Sequence, residues 1–142
     1  MNRMCLFAPI ALIGALCAGP VSAQDYTNLG ASLFGEYVSG EGDDDASADF
    51  NGEIDHRRGR LCYYLEIEDL DDASAIAIHQ AEQRADGPEV LPLALPGENG
   101  DEVCIDAEAA LLTSLSEGAD GYYLIVRSSG HPEGAIRGQL HN

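Results

Sequence analysis

Gly121-Tyr-Tyr-Leu-Ile-Val-Arg-Ser-Ser-Gly-His-Pro-Glu-Gly-Ala-Ile-Arg-Gly-Gln-Leu140 decides the fold. Tyr122–Arg127 and Ala135–Leu140 are built from aromatic, β-branched and aliphatic residues, while Ser128–Gly134 between them is rich in the residues that make turns. The stretch predicts a β-hairpin. Working back from it, Ala48, Phe50, Gly52 and Ile54 alternate with Asp49, Asn51, Glu53 and Asp55, a period of two that gives one buried and one wet face. After the turn His56–Arg60, Leu61, Tyr63, Leu65 and Ile67 alternate with Cys62, Tyr64, Glu66 and Glu68, so the two segments predict a second hairpin. The three arginines of that turn are read as charge compensation.

Further strands are expected over Tyr26–Val38, with Leu29, Ala31 and Leu33 inward, and over Ala75–His79, with Ala75, Ala77 and His79 sharing a face. Two more fall at Pro88–Leu95, where Pro92 argues for a sheet edge or a bulge, and at Val103–Ile105. Asp69–Asp72 and Gly97–Gly100 are turns, and Gln80–Gly87 is polar and irregular. A single helical pattern covers Ala107–Ser116, with Asp106 as its N-cap, Ala110, Leu111, Ser114 and Leu115 on one side, and Gly118 as its stop. One short helix among seven or eight strands spaced by turn residues is an all-β sandwich or barrel.

The ends and the composition set the compartment and remove several functions. Met1–Arg3 followed by the apolar run Cys5–Cys17 and the small residues Val21-Ser-Ala23 predicts a signal peptide over 1–23, leaving residues 24–142 as one domain. That run is too short to span a bilayer, and no membrane insertion is expected after cleavage. Leu16 stands where a lipoprotein would carry a small residue before Cys17, which favours export of a soluble protein, secreted or periplasmic. The chain holds 25 acidic residues against 7 basic ones, all arginine, for a net charge of −18. Loss of Arg3 with the leader makes it more negative still. Such an acidic protein has no basic face for nucleic acid.

Loss of the leader also leaves Cys62 and Cys104 as the pair available in an oxidising compartment. A pair of free thiols, or part of a metal site, is the alternative. The acidic loop Ser39–Ala46 resembles a calcium loop in composition. No start at Asp43, Asp44, Asp45 or Asp49, however, places both a glycine sixth and a glutamate twelfth, so a solvated loop is expected.

Several motifs fall in one order: Leu61-Cys-Tyr-Tyr64, Ile78-His79, Gly87-Pro-Glu-Val90, Val103-Cys-Ile-Asp106, Tyr122-Tyr123 and Pro132-Glu-Gly-Ala-Ile-Arg-Gly-Gln-Leu140. In that order the chain resembles the CHRD domain, named from chordin and also found in exported bacterial proteins, over roughly Leu29–Leu140. The resemblance implies an immunoglobulin-like or superoxide-dismutase-like Greek-key β-sandwich, a Cys62–Cys104 bridge and no established catalytic activity; no cofactor is expected. It also gives Tyr122, Tyr123, Gly134, Arg137, Gly138 and Gln139 the part of structural motif residues.

Family members often carry a His-x-His pair in the strand before Gly-Pro and a later histidine after the tyrosines. Here Ala77 and Arg127 occupy two of those positions, and Ile125 stands where asparagine is common. His79 is therefore alone, a hydrogen-bonded strand residue with Arg127 near it, and the two are the candidate binding residues. A copper- or zinc-binding, dismutase-like protein is the competing reading, and these losses disfavour it. Arg137 is expected to lie partly buried against a carboxylate, Glu36 being the candidate, with Gly138 giving room to its guanidinium. Neither a Gly-x-Ser-x-Gly elbow nor a His-Glu-x-x-His motif occurs, and no nucleophile–base pair is legible. The expectation is a non-enzymatic exported binding or structural module whose partner, an extracellular or periplasmic protein, the sequence does not identify.

Overall fold

A computed structural model describes residues 25–97 and 100–142; the leader expected over 1–23 and residues 98–99 of the Gly97–Gly100 turn lie outside the described residues. Alternating hydrophobicity becomes eight strands. They are β1 (Tyr26–Phe34), β2 (Ser47–Asp55), β3 (Arg60–Glu68), β4 (Ala73–Gln80), β5 (Glu89–Leu93), β6 (Val103–Asp106), β7 (Tyr122–Ser128) and β8 (Ile136–Gln139), with helix α1 (Ala109–Glu117) between β6 and β7. All ladders are antiparallel, and the strands follow the order β5-β4-β7-β8-β1-β2-β3-β6 in one sheet.

The sheet curls into a nearly closed barrel. Tyr63 bridges the seam: its ring lies in the core, its hydroxyl donates to Ala94 O at 2.6 Å and accepts from Ala94 N at 2.9 Å. Burial pushes this hydroxyl's pKa above its ordinary value. After the β4–β5 hairpin the chain crosses the seam to β6, then returns through α1 to lay β7 beside β4. That path is a Greek key.

Apolar residues from alternate positions of the strands fill the interior. Leu33, Phe50, Ile54, Leu61, Tyr63, Ile76, Ile78, Leu124, Val126 and Ile136 are all at most 2 % exposed. Phe50 packs on Tyr63 at 5.4 Å between ring centroids. Pro92 lies in β5, an edge strand as expected, opposite Ala77 of β4.

Helix α1 departs from the reading. It begins at Ala109 with Glu108 at the N-cap position and no side-chain capping bond, because Asp106 is still in β6, where its carboxylate meets Arg60 at 3.3 Å. Its buried residues are Leu112 and Leu115, while Ala110 and Ser114, expected on the inward side, are exposed. Gly118 ends the helix as predicted.

Cys62 and Cys104 are bonded. They sit directly opposite in the β3–β6 ladder, 4.0 Å apart at Cα, on the outer face. The bridge therefore staples the short edge strand β6 to the sheet, and the free-thiol alternative is excluded.

Candidate functional site

The outer face of β4, β7 and β8 is where most of the singled-out residues meet. Register places His79 opposite Tyr123, Ala77 opposite Ile125, Ile125 opposite Arg137 and Tyr123 opposite Gln139. Outward residues of a barrel are ordinarily wet, yet Ala77, His79, Tyr123 and Arg137 are buried. The polar segment 81–88, which sequence reads only as irregular, folds back over them as a strap.

Each residue beneath the strap holds one point of it. His79 Nδ1 donates to Gly87 O at 2.9 Å, and Tyr123 Oη stands 3.2 Å from Gly87 N and 3.3 Å from Gly87 O. Arg137 Nη2 donates to Ala85 O at 2.6 Å and Nη1 to Asp86 Oδ1 at 3.0 Å, while Gln139 Nε2 donates to Ala81 O at 2.9 Å. Gly87 fits for a steric reason: a Cβ there would fall 1.8 Å from Gln80 O, where the strap closes on itself. Tyr123 is stacked from both neighbouring strands. His79 lies at 5.1 Å on one side, and the Arg137 guanidinium carbon sits 3.7 Å from the ring centroid on the other. A desolvated cation over an aromatic face contributes about 2 kcal/mol.

Two expectations about Arg137 are corrected. Its carboxylate is Asp86, not Glu36, because the strap lies directly over β8 whereas Glu36 sits exposed in the 3-10 turn Gly35–Tyr37 after β1. Gly138 makes no room for the guanidinium. A Cβ there would lie 2.4 Å from Ser32 O, so the missing side chain admits the β1 backbone instead. Tyr122 faces the core, its carbonyl accepting from Leu140 N at 2.9 Å, and Gly134 sits in the β7–β8 turn, donating to His131 O at 3.2 Å.

His79 and Arg127 do meet. Arg127 Nη2 stands 3.5 Å from His79 Nε2, and Glu89 lies 3.6 Å from Arg127 Nη1 and 3.9 Å from His79 Nε2. With Nδ1 spent on Gly87, Nε2 faces a guanidinium. Both ring nitrogens are committed, so this histidine does not fit a copper or zinc ligand set. Among the described residues, the one group with metal-like donor spacing is Cys62, Glu102 and Cys104, whose thiols are consumed by the disulfide.

The fold also brings together a serine and a histidine that spacing kept apart. His56 Nε2 is 2.9 Å from Ser116 Oγ and 3.3 Å from Thr27 Oγ1. Ser116 Oγ meanwhile donates to Leu112 O at 2.9 Å. The contact fastens α1 to the barrel end. Nearby, Asp55 turns inward at the β2–β3 turn. Burial pushes its carboxyl up, but donation from the Arg58 and Arg57 amides at 3.0 Å and from the Arg58 guanidinium outweighs that, and its pKa lies below the ordinary value. The three arginines pair with Asp25, Asp55 and Asp106, not with the acidic loop.

Beside the strap lies a cleft of about 610 Å³. Its floor is the outer face of β1 and β8, carrying Ser32, Phe34, Arg137 and Gln139; residues 36–39 form one wall, and Gln83 and Arg84 the other. Asp86 Oδ1 ties the walls, accepting from Ser39 Oγ at 2.7 Å as well as from Arg137. Phe34 and Tyr37 are 39 % and 50 % exposed and meet edge to face at 5.5 Å. The cleft offers aromatic surface, mixed donors and acceptors, and guanidinium charge, on a scaffold held from below by the latches of Arg137 and Gln139.

A protein-family model described as "CHRD domain" matches residues 29–140. Comparison with curated proteins and with solved structures finds no match.

Proposed function

The chain belongs to the CHRD family, and from that premise we propose that it is an exported module that binds a ligand at the cleft beside its strap and leaves that ligand chemically unchanged. The observation that carries the reading is positional. Two residues of the terminal family motif, Arg137 and Gln139, both latch the strap and line the cleft, so the motif that defines the fold also shapes the concavity. Exposed Phe34 and Tyr37 on its rim are the kind of side chains that anchor ligands.

Export is supported by the charged start and apolar run of the leader, and by the Cys62–Cys104 bridge, a bond that persists in oxidising compartments. Among the described residues no helix is long and apolar enough to cross a membrane.

The test is an array of glycans and peptides probed with the purified protein and with Tyr37→Ala. The proposal expects retained members whose apparent affinity falls about tenfold in the variant, as for loss of a rim aromatic, with each retained member recovered intact. Retention indifferent to Tyr37, no retention at all, or consumption of a bound member contradicts it.

A further inference from the structure

Charge pairing singles out one wall of the cleft. Among the described residues, Arg57, Arg58, Arg60, Arg127 and Arg137 each have a carboxylate within ion-pair distance. Arg84 has none there, is exposed, and lines the cleft. In a chain with 25 acids, an arginine without a carboxylate partner among the described residues is notable, since the protein's own field favours such pairing. Its backbone is held at φ +67, in the left-handed region that costs a non-glycine residue about 1 kcal/mol. Strain of that kind persists where surrounding structure fixes it, here by the turn bond from Ala85 N to Glu82 O at 3.1 Å and the latches on Ala85 and Asp86.

The rest of the cleft narrows what Arg84 would meet. Arg137 is not a second free cation, because Asp86 and Ala85 hold it. Tyr37 and Phe34 offer aromatic surface, whose negative ring face suits the weakly positive C–H hydrogens of a pyranose. Gln83 adds donors and, with Glu36, acceptors, which suit hydroxyl groups and would be left idle by an apolar ligand; the Ser32 proton goes to Asp49, and both Gln139 amide protons go to Ala81 and Asp120. A chain of net charge −18 repels a densely charged polyanion such as nucleic acid more strongly than a short sugar fragment with one carboxylate per ring. A hydroxyl-rich ring with a single carboxylate uses all three elements.

We propose that the cleft binds a uronic-acid residue of a glycan, with its carboxylate on Arg84 and its ring against Tyr37. This rests on the reading of the cleft as the binding site and names the ligand class for it. Calorimetric titration of the purified protein at low ionic strength tests it, with digalacturonate as the probe, cellobiose as the neutral disaccharide and benzoate as a carboxylate without hydroxyls. Digalacturonate is expected to bind about tenfold or more tighter than either control, the factor a charge-assisted hydrogen bond supplies. Arg84→Gln should bring it down to the level of cellobiose, and Tyr37→Ala should weaken both sugars.

Both substitutions replace exposed side chains, so folding, checked by thermal melting, is expected to be kept. Equal binding of cellobiose or benzoate, an unchanged Arg84→Gln titration, or no heat with digalacturonate overturns the proposal. If digalacturonate fails while another array member binds and loses affinity in Tyr37→Ala, the ligand class falls and the binding site stands.

Discussion

Arg137 shows what a single residue does here and how far sequence reveals it. Its neighbours Ile136 and Gly138 mark a terminal strand, and an arginine in such a strand demands a partner. That much is legible locally. The partner itself, Asp86, is 51 residues earlier in the chain. Only the folding-back of a segment with no periodicity brings it into reach. The ion pair contributes little, since the Asp86 side chain is 67 % exposed; the packing on Tyr123 and the bond to Ala85 O contribute more. Arg137→Ala should therefore destabilise by about 2–5 kcal/mol, as truncation of a long buried side chain does. Amide exchange at Gly87 should quicken beyond the global change, because the strap loses its strongest latch. A Gly87 amide that tracks the barrel strands would mean the strap is held independently of Arg137. His79 was equally half-legible: its isolation from the other family histidines is plain in Ala77 and Arg127, its bond to Gly87 is not.

At the scale of elements, strands were legible and their neighbours less so. Period-two alternation depends on side chains i and i+2 sharing a face, a local property, so β2 and β3 emerge within a residue of their expected bounds. Helix α1 shifted because its capping candidate, Asp106, had a competing use in the β3–β6 ladder, which a linear reading does not weigh. The contact of Ser116 with His56 spans 60 residues and left no local trace. Strand β6 is the element most dependent on one covalent bond. It has four residues, lies at the sheet edge and, among the described residues, pairs only with β3. The Cys62–Cys104 bridge closes a loop of 42 residues, worth about 4 kcal/mol in the chain-entropy account. Cys62→Ala with Cys104→Ala should lower stability in chemical denaturation by that order, with β6 amides the first to exchange. A loss under about 1 kcal/mol would mean the β3–β6 ladder and the Tyr63 seam hold the edge unaided.

At the scale of the whole molecule, the barrel separates two jobs. Its interior is apolar and carries stability; its outer face on β4, β7 and β8 is covered by a strap, and the cleft forms between the strap and residues 36–39, which Asp86 and Ser39 tie together. The family motif belongs to both, through the inward Ile136 and Leu140 and the outward Arg137 and Gln139. The cleft itself was beyond a sequence reading, because its walls come from separate loops joined only through Asp86. The central claim, that this cleft is where the protein binds, is tested most directly by backbone amide chemical-shift mapping during titration with the tightest ligand from the array. The account predicts saturable shifts concentrated at Tyr37–Ser39, Gln83–Arg84 and Gln139–His141, with the outer face of β2 and β3 unmoved. Shifts concentrated on the acidic loop 39–46 without the strap, or on that β2–β3 face, would contradict it.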